Sequence, residues 1–320
     1  MTLKNNNLHA SWVYRLMLAM ASLVLAAHVS AAPCDRACVQ SKVTQTIDAM
    51  VNHRHSDINF FASKLRSTQN GEVTQLGDGV WQTITSKGGY QQTFIDQSLQ
   101  EATFFGVFTE QHDGVEEPLL MAVRFRFSDG EVTELEHLLS RPDKRNRLIR
   151  ISQLKAPNPI YDVVLPESAR SSRDQLVAAA HAYFDGIAKS TDEGVPMHRE
   201  CVRRENGVTL LKNQNPTTED CPIGFHRFNY ITDIRDRRVS VVDEERGLVL
   251  AWGIFDIPGN IEVAPGRFGP SDLPSDGPRV DSRKVPRSLY IAELFRVVDG
   301  KIRDIDAIMY NLDLGFKAGW

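Results

Sequence analysis

Glu293 stands where an alternating strand calls for an apolar residue. Ile291, Glu293, Phe295 and Val297 share one parity of a strand-like run, and period-two alternation puts such a set on one face of a sheet. A carboxylate on an apolar face is costly unless it is paired, neutral or bordering a wet cavity. The same burial raises a carboxyl pKa toward neutrality, which suits a general acid or base. Pairing with an arginine of the same repeat is the structural alternative.

Other groups join Glu293 as candidates. His198 and His226 lie close in sequence to Cys201 and Cys221, and a disulfide between those cysteines would bring their surroundings together. Asp243 sits in a charged block from Arg235 to Arg246. There an arginine can hold an enolate while Asp243 exchanges a proton, or the block is a hairpin held by surface ion pairs. Tyr183, Tyr230, Trp252 and Arg204 are the binding candidates of the C-terminal half, and Trp81, Tyr90 and His137 those of the N-terminal half. His53 and His55 read as a solvated helix end, so no metal site is expected.

These residues ride on a duplicated pattern. The run Phe125 to Glu136 returns as Phe295 to Asp306, each copy reading as strand, Asp-Gly turn, strand (Asp129-Gly130 and Asp299-Gly300). Asn70-Gly71 recurs as Asn206-Gly207. Within the repeat, Glu293 matches Val123, His137 matches Ala307, and Glu134 and Glu136 match Asp304 and Asp306 as a row expected to face solvent. Each copy opens with an amphipathic helix, one capped at Asp35 and the other carrying a Ser172/Gln175 capping box. The expected fold class is α+β. The expected order is a signal peptide over 1–31, a first domain over 32–155, a linker over 156–171 and a second domain over 172–320. A Pro/Gly-rich insertion over 256–286 reads as a lid or as irregular chain.

Helix first, then a curved antiparallel sheet closed by a hairpin, resembles the cone-shaped nuclear transport factor 2-like superfamily, which includes the SnoaL-like polyketide cyclases. More closely, the chain resembles a family of exported tandem proteins of fungi and bacteria. That resemblance rests on Cys34-Asp35-Arg36-Ala37-Cys38, Leu76-Gly77-Asp78-Gly79-Val80-Trp81, Phe104-Phe105-Gly106-Val107, Arg235-Asp236-Arg237-Arg238 and Val242 to Val249. It implies two tandem cone domains and no particular mechanism. Enzymes of the superfamily usually work without a cofactor, with an acid, a histidine or a tyrosine inside the cone moving protons.

The gross features narrow the function. A basic start at Lys4 and Arg15, an apolar stretch from Leu16 to Ala27 and Val29-Ser30-Ala31 read as an export signal, giving a secreted or periplasmic protein. Four cysteines then favour disulfides, with Cys34–Cys38 and Cys201–Cys221 preferred among three connectivities. A net charge of −4 with both signs interspersed gives no reason to expect nucleic acid or a membrane partner after signal cleavage. Gly-x-Ser-x-Gly, His-Glu-x-x-His, P-loop and dinucleotide-binding signatures are absent. The expectation is a cofactor-independent lyase or isomerase acting on a small apolar or aromatic molecule. The alternative is a non-catalytic ligand-binding or interaction module, with the cones serving as cups or as a homodimer scaffold.

Overall fold

Two capped helices start the two halves of the chain. In the computed structural model, the described residues are 33–143, 146, 149–211, 225–260 and 282–320. The expected signal segment, Cys221 and residues 261–281 of the insertion lie outside them. Helix α1 (Arg36–Val51) is capped by Asp35, whose side chain accepts from the Cys38 amide. The Cys34–Cys38 disulfide closes over that cap. Helix α3 (Arg173–Lys189) carries the Ser172/Gln175 capping box, which satisfies amides that the first turn leaves unpaired. Helix α2 (Val80–Thr83) is a single turn. Cys201 is also disulfide-bonded.

Among the described residues, twelve strands form two matching sets. The first half holds β1 (Phe61–Gln69), β2 (Glu72–Val73), β3 (Ile84–Asp96), β4 (Glu101–His112), β5 (Val115–Ser128) and β6 (Glu131–Ser140). The second holds β7 (Met197–Glu205), β8 (Val208–Leu211), β9 (Asp233–Asp243), β10 (Leu248–Ile257), β11 (Arg287–Val298) and β12 (Lys301–Leu312). The sheet orders are β2-β1-β6-β5-β4-β3 and β8-β7-β12-β11-β10-β9. Among the described residues, only the β1–β6 and β7–β12 pairs are parallel. Asp129-Gly130 and Asp299-Gly300 take left-handed φ values of 50°, 79° and 51°, 71°, as a two-residue hairpin turn requires.

Alternation sorts each sheet into two faces. One face packs on its own helix: Val43, Ile47, Phe104, Val123 and Leu135 in the first half, and Ala180, Phe184, Ile291, Phe295 and Ile305 in the second. The other faces of the two sheets pack against each other, joining Phe105, Leu120 and Leu138 to Leu250, Trp252, Tyr290 and Leu294. Pro33–Trp320 is accordingly one compact unit. The segment expected as a linker contributes to this seam, since Tyr161 is buried there.

The row Glu134, Glu136, Asp304 and Asp306 does not face solvent as its alternation suggested. The seam buries Glu136 and Asp306, because the opposite half supplies the second layer, and leaves Glu134 and Asp304 partly exposed. Glu136 is fully buried and accepts from Arg124 Nε at 2.7 Å, from both terminal nitrogens of Arg238 at 2.8 and 2.6 Å, and from the Tyr290 hydroxyl. Burial pushes its pKa up, but these donors outweigh it and hold the carboxylate below its usual range. Asp306 accepts from Arg204 at 3.1 Å and from Tyr161 at 3.4 Å.

Besides Arg238–Glu136, two equivalent ion pairs are exchanged across the seam. Arg36, at the start of α1, reaches Asp243 at the end of β9 (2.5 Å), and Arg173, at the start of α3, reaches Asp96 at the end of β3 (2.7 Å). The halves therefore lock each other through equivalent positions. Truncating Glu136 strands the Arg238 guanidinium and the Tyr290 hydroxyl, while Arg124 keeps Glu134 and Glu101. Glu136→Ala is expected to cost about 3–5 kcal/mol in urea unfolding. Asp48→Ala, which breaks a half-exposed pair with Lys87, is expected to cost about 1 kcal/mol or less.

Candidate functional site

The helix-side face of the second sheet is apolar except around Glu293. That residue sits on β11 between Ile291 and Phe295, opposite Ala251 on β10 and Ala307 on β12. Ala307 in turn lies opposite Glu205 on β7. Two carboxyl groups thus flank one alanine across three adjacent strands. Arg203, two positions before Glu205 on the same face, places its Nε 3.3 Å from Glu205 Oε1. Its terminal nitrogen donates to the Tyr183 hydroxyl at 3.3 Å, and its guanidinium lies 5.3 Å from the centre of the Phe228 ring. Tyr183, from α3, completes the cluster, close enough to Glu293 for each to act on the other's ionisation.

Solvent access separates the two carboxyls. Glu293 is 2% exposed, and its Oε2 has no hydrogen-bond partner. Burial, helped by the nearby Glu205 charge, pushes its pKa up to about 8, against the pull of Arg203 and Tyr183. Glu205 keeps 18% side-chain exposure and has Arg203 beside it. Burial raises its pKa too, and Arg203 opposes the rise. Tyr183 is driven well above its ordinary range by burial first and by Glu293 second. Tyr230 packs against this cluster, and burial pushes it up to about 12. The arrangement can accept a proton at Glu293 and present donors from Tyr183 and Arg203 to a nearby oxygen.

The first half lacks the equivalent charges. Strand register places Gln69, His137 and Val123 where the second half has Glu205, Ala307 and Glu293. Ser67 replaces Arg203, and Thr46 holds the helical position of Tyr183 counted from the cap. Gln69 is spent on α2, donating to the Asp78 carbonyl and accepting from the Val80 amide. His137 is buried and donates from Nδ1 to the Thr68 carbonyl at 2.8 Å. Burial lowers its pKa to about 4, so the ring is neutral. Trp81 belongs to the same helix-side core.

Several of the sequence candidates lie elsewhere. Asp243 is not on the Glu293 face of the second sheet, because it ends β9 at the seam and is held by Arg36 and Arg246. Trp252 and Tyr90 point into the seam core, on the opposite face from Glu293. Arg204 also faces the seam, bound to Asp306 and Tyr161. His198 is half-buried and accepts from the Glu200 amide, while His226 is exposed on a short turn over Phe225–Phe228. Of the predicted set, Glu293, Tyr183 and Tyr230 come together. Arg203 and Glu205 were missed, and their signal was the shared parity of Cys201, Arg203 and Glu205.

Residues 169–309 match the model of a domain of unknown function (DUF8021). That segment contains Tyr183, Arg203, Glu205 and Glu293. No curated protein matches the chain. Among solved structures, a "putative polyketide cyclase" from Silicibacter sp. tm1040 is 12% identical with a TM-score of 0.30, covering 43% of this chain and 90% of that one. PrhC from Penicillium brasilianum is 15% identical with a TM-score of 0.24, covering 43% of this chain and 82% of that one. Likeness at this level carries no activity across.

The raised Glu293 pKa has a consequence for stability. The folded protein keeps this proton up to about pH 8, whereas the ordinary value is 4.5. Between those limits the native state binds the extra proton. The group's contribution is therefore most favourable below pH 4.5 and is lost as pH rises through about 8, at up to about 1.4 kcal/mol per pH unit. Glu293→Gln is expected to remove that slope. Urea unfolding from pH 5 to 8 should show the wild type losing stability relative to the variant as pH rises.

Proposed function

We propose that the second cone is the acid–base site of an exported, cofactor-independent lyase or isomerase acting on a small apolar or aromatic molecule. One observation carries this reading. A carboxyl with an unpartnered oxygen is buried on an apolar face, beside a tyrosine and an arginine already linked to each other. Ionised Glu293 takes a proton from a carbon next to a carbonyl. The electron pair moves onto the carbonyl oxygen, where Tyr183 and Arg203 stabilise the negative charge. The charge then collapses, either expelling a leaving group or taking the proton back from Glu293 at another carbon. Phe225, Phe228 and Tyr230 give the site aromatic walls. Export and the nuclear transport factor 2-like class remain part of this reading, supported by the leader-like N-terminus and by the order of helix and strands.

A second reading, ligand capture without chemistry, is favoured by a different feature. A cleft of about 430 Å³ opens at the seam, lined by Arg36, Gln40, Phe94, Tyr161, Asp243 and Arg246. It lies away from Glu293 and is large enough for a small ligand.

Incubation in heavy water with a pooled panel of carbonyl, lactone and phenolic compounds separates the two readings. Mass spectrometry is expected to show a compound that gains deuterium or fragments only with protein. Glu293→Gln is expected to lower that rate at least tenfold while the fold is kept, and the wild-type rate should climb as pH approaches 8. A compound that binds without exchange, and whose binding survives Glu293→Gln but not Arg246→Ala, would instead assign the seam.

A further inference from the structure

Glu205 has no part in the proton transfer just described, yet it is built into the same face. It stands one strand beyond Ala307 from Glu293, and alanine is too short to screen one carboxyl from the other. Arg203 pairs with Glu205 through Nε, while a terminal nitrogen of the same guanidinium reaches Tyr183. The cation is thus tied to Glu205 on one side and to the tyrosine on the other. Water also reaches Glu205, which is 18% exposed, and does not reach Glu293 at 2%. The negative charge of the pair therefore rests on Glu205.

We propose that Glu205, anchored by Arg203, is a positioning residue that keeps the proton on Glu293 until a substrate draws it into use. The proposal rests on the acid–base reading of the cone, and its consequence is regulatory. A fixed negative charge on the same sheet face opposes ionisation of Glu293. Without that charge, Glu293 would ionise earlier and become a weaker base. Other elements packed against Glu293 bring no competing charge among the described residues. Helix α3 offers Tyr183, β10 and β12 offer Ala251 and Ala307, and the segment after Phe225 offers Tyr230. The first cone has no such device, because Gln69 and Val123 occupy the corresponding positions.

Carbon-13 labelling of the glutamate carboxyls tests this directly, without a substrate. The resonance lost in Glu293→Gln identifies Glu293, and the one lost in both Glu205→Asp and Glu205→Gln identifies Glu205. In the wild type, Glu205 is expected to titrate below Glu293. In Glu205→Gln the Glu293 midpoint is expected to fall by about one pH unit, while Glu205→Asp, which keeps the charge, holds it near the wild-type value. An unchanged or raised midpoint in Glu205→Gln overturns the proposal. So does a wild-type titration in which Glu293 ionises first, a result that stands even if the Gln variant fails to fold. Because these readouts need no turnover, a failed proton-exchange assay would count against the enzyme reading alone.

Discussion

Each sheet has two faces to hide, and among the described residues one long helix with which to hide them. That constraint organises the rest of the molecule. The helix covers one face, and the opposite half of the chain covers the other. The seam is therefore a true interior, with Glu136 satisfied by Arg124, Arg238 and Tyr290. A buried carboxylate with several charged donors is tolerated, and removing a donor leaves the buried charge less compensated. The exchanged pairs Arg36–Asp243 and Arg173–Asp96 fix the ends of the same interface. Because the first half already covers the outer face of the second sheet, the helix-side face of that sheet is free to carry charge.

Two buried acids show what the surroundings decide. Glu136 and Glu293 are both almost inaccessible, and desolvation pushes both toward the neutral form. Glu136 meets two arginines and a tyrosine and stays ionised. Glu293 meets one arginine shared with Glu205, one tyrosine, and the repulsion of Glu205, so it keeps its proton. The first acid holds the halves together, while the second keeps its proton within an apolar face.

Much of this was legible in the sequence, for specific reasons. The capping patterns at Asp35 and Ser172 and the Asp-Gly turns are local chemistry, and local chemistry survives in the fold. Repeat alignment also matched Glu293 with Val123 and Ala307 with His137, and the strand register gives both pairs equivalent places, Glu293 opposite Ala307 and Val123 opposite His137. Solvent exposure was not legible. Glu136 and Asp306 look like a polar edge until the second half is packed over them, and Asp243 looks reactive until Arg36 arrives from a distant helix. Strand β7 was missed altogether, because Met197–Glu205 carries charges on both parities. One parity serves the seam through Arg204, and the other serves the cone through Arg203 and Glu205. Local patterning fails where a strand is given over to polar work on both faces.

The central claim is that one carboxyl in the second cone is neutral near pH 7 while its neighbour on β7 is charged. Neutron diffraction from crystals equilibrated in heavy water at pH 7 reads this directly. The account predicts a deuteron on a Glu293 carboxyl oxygen and none on Glu205. A bare Glu293 carboxylate, or a deuteron on Glu205 instead, would contradict it.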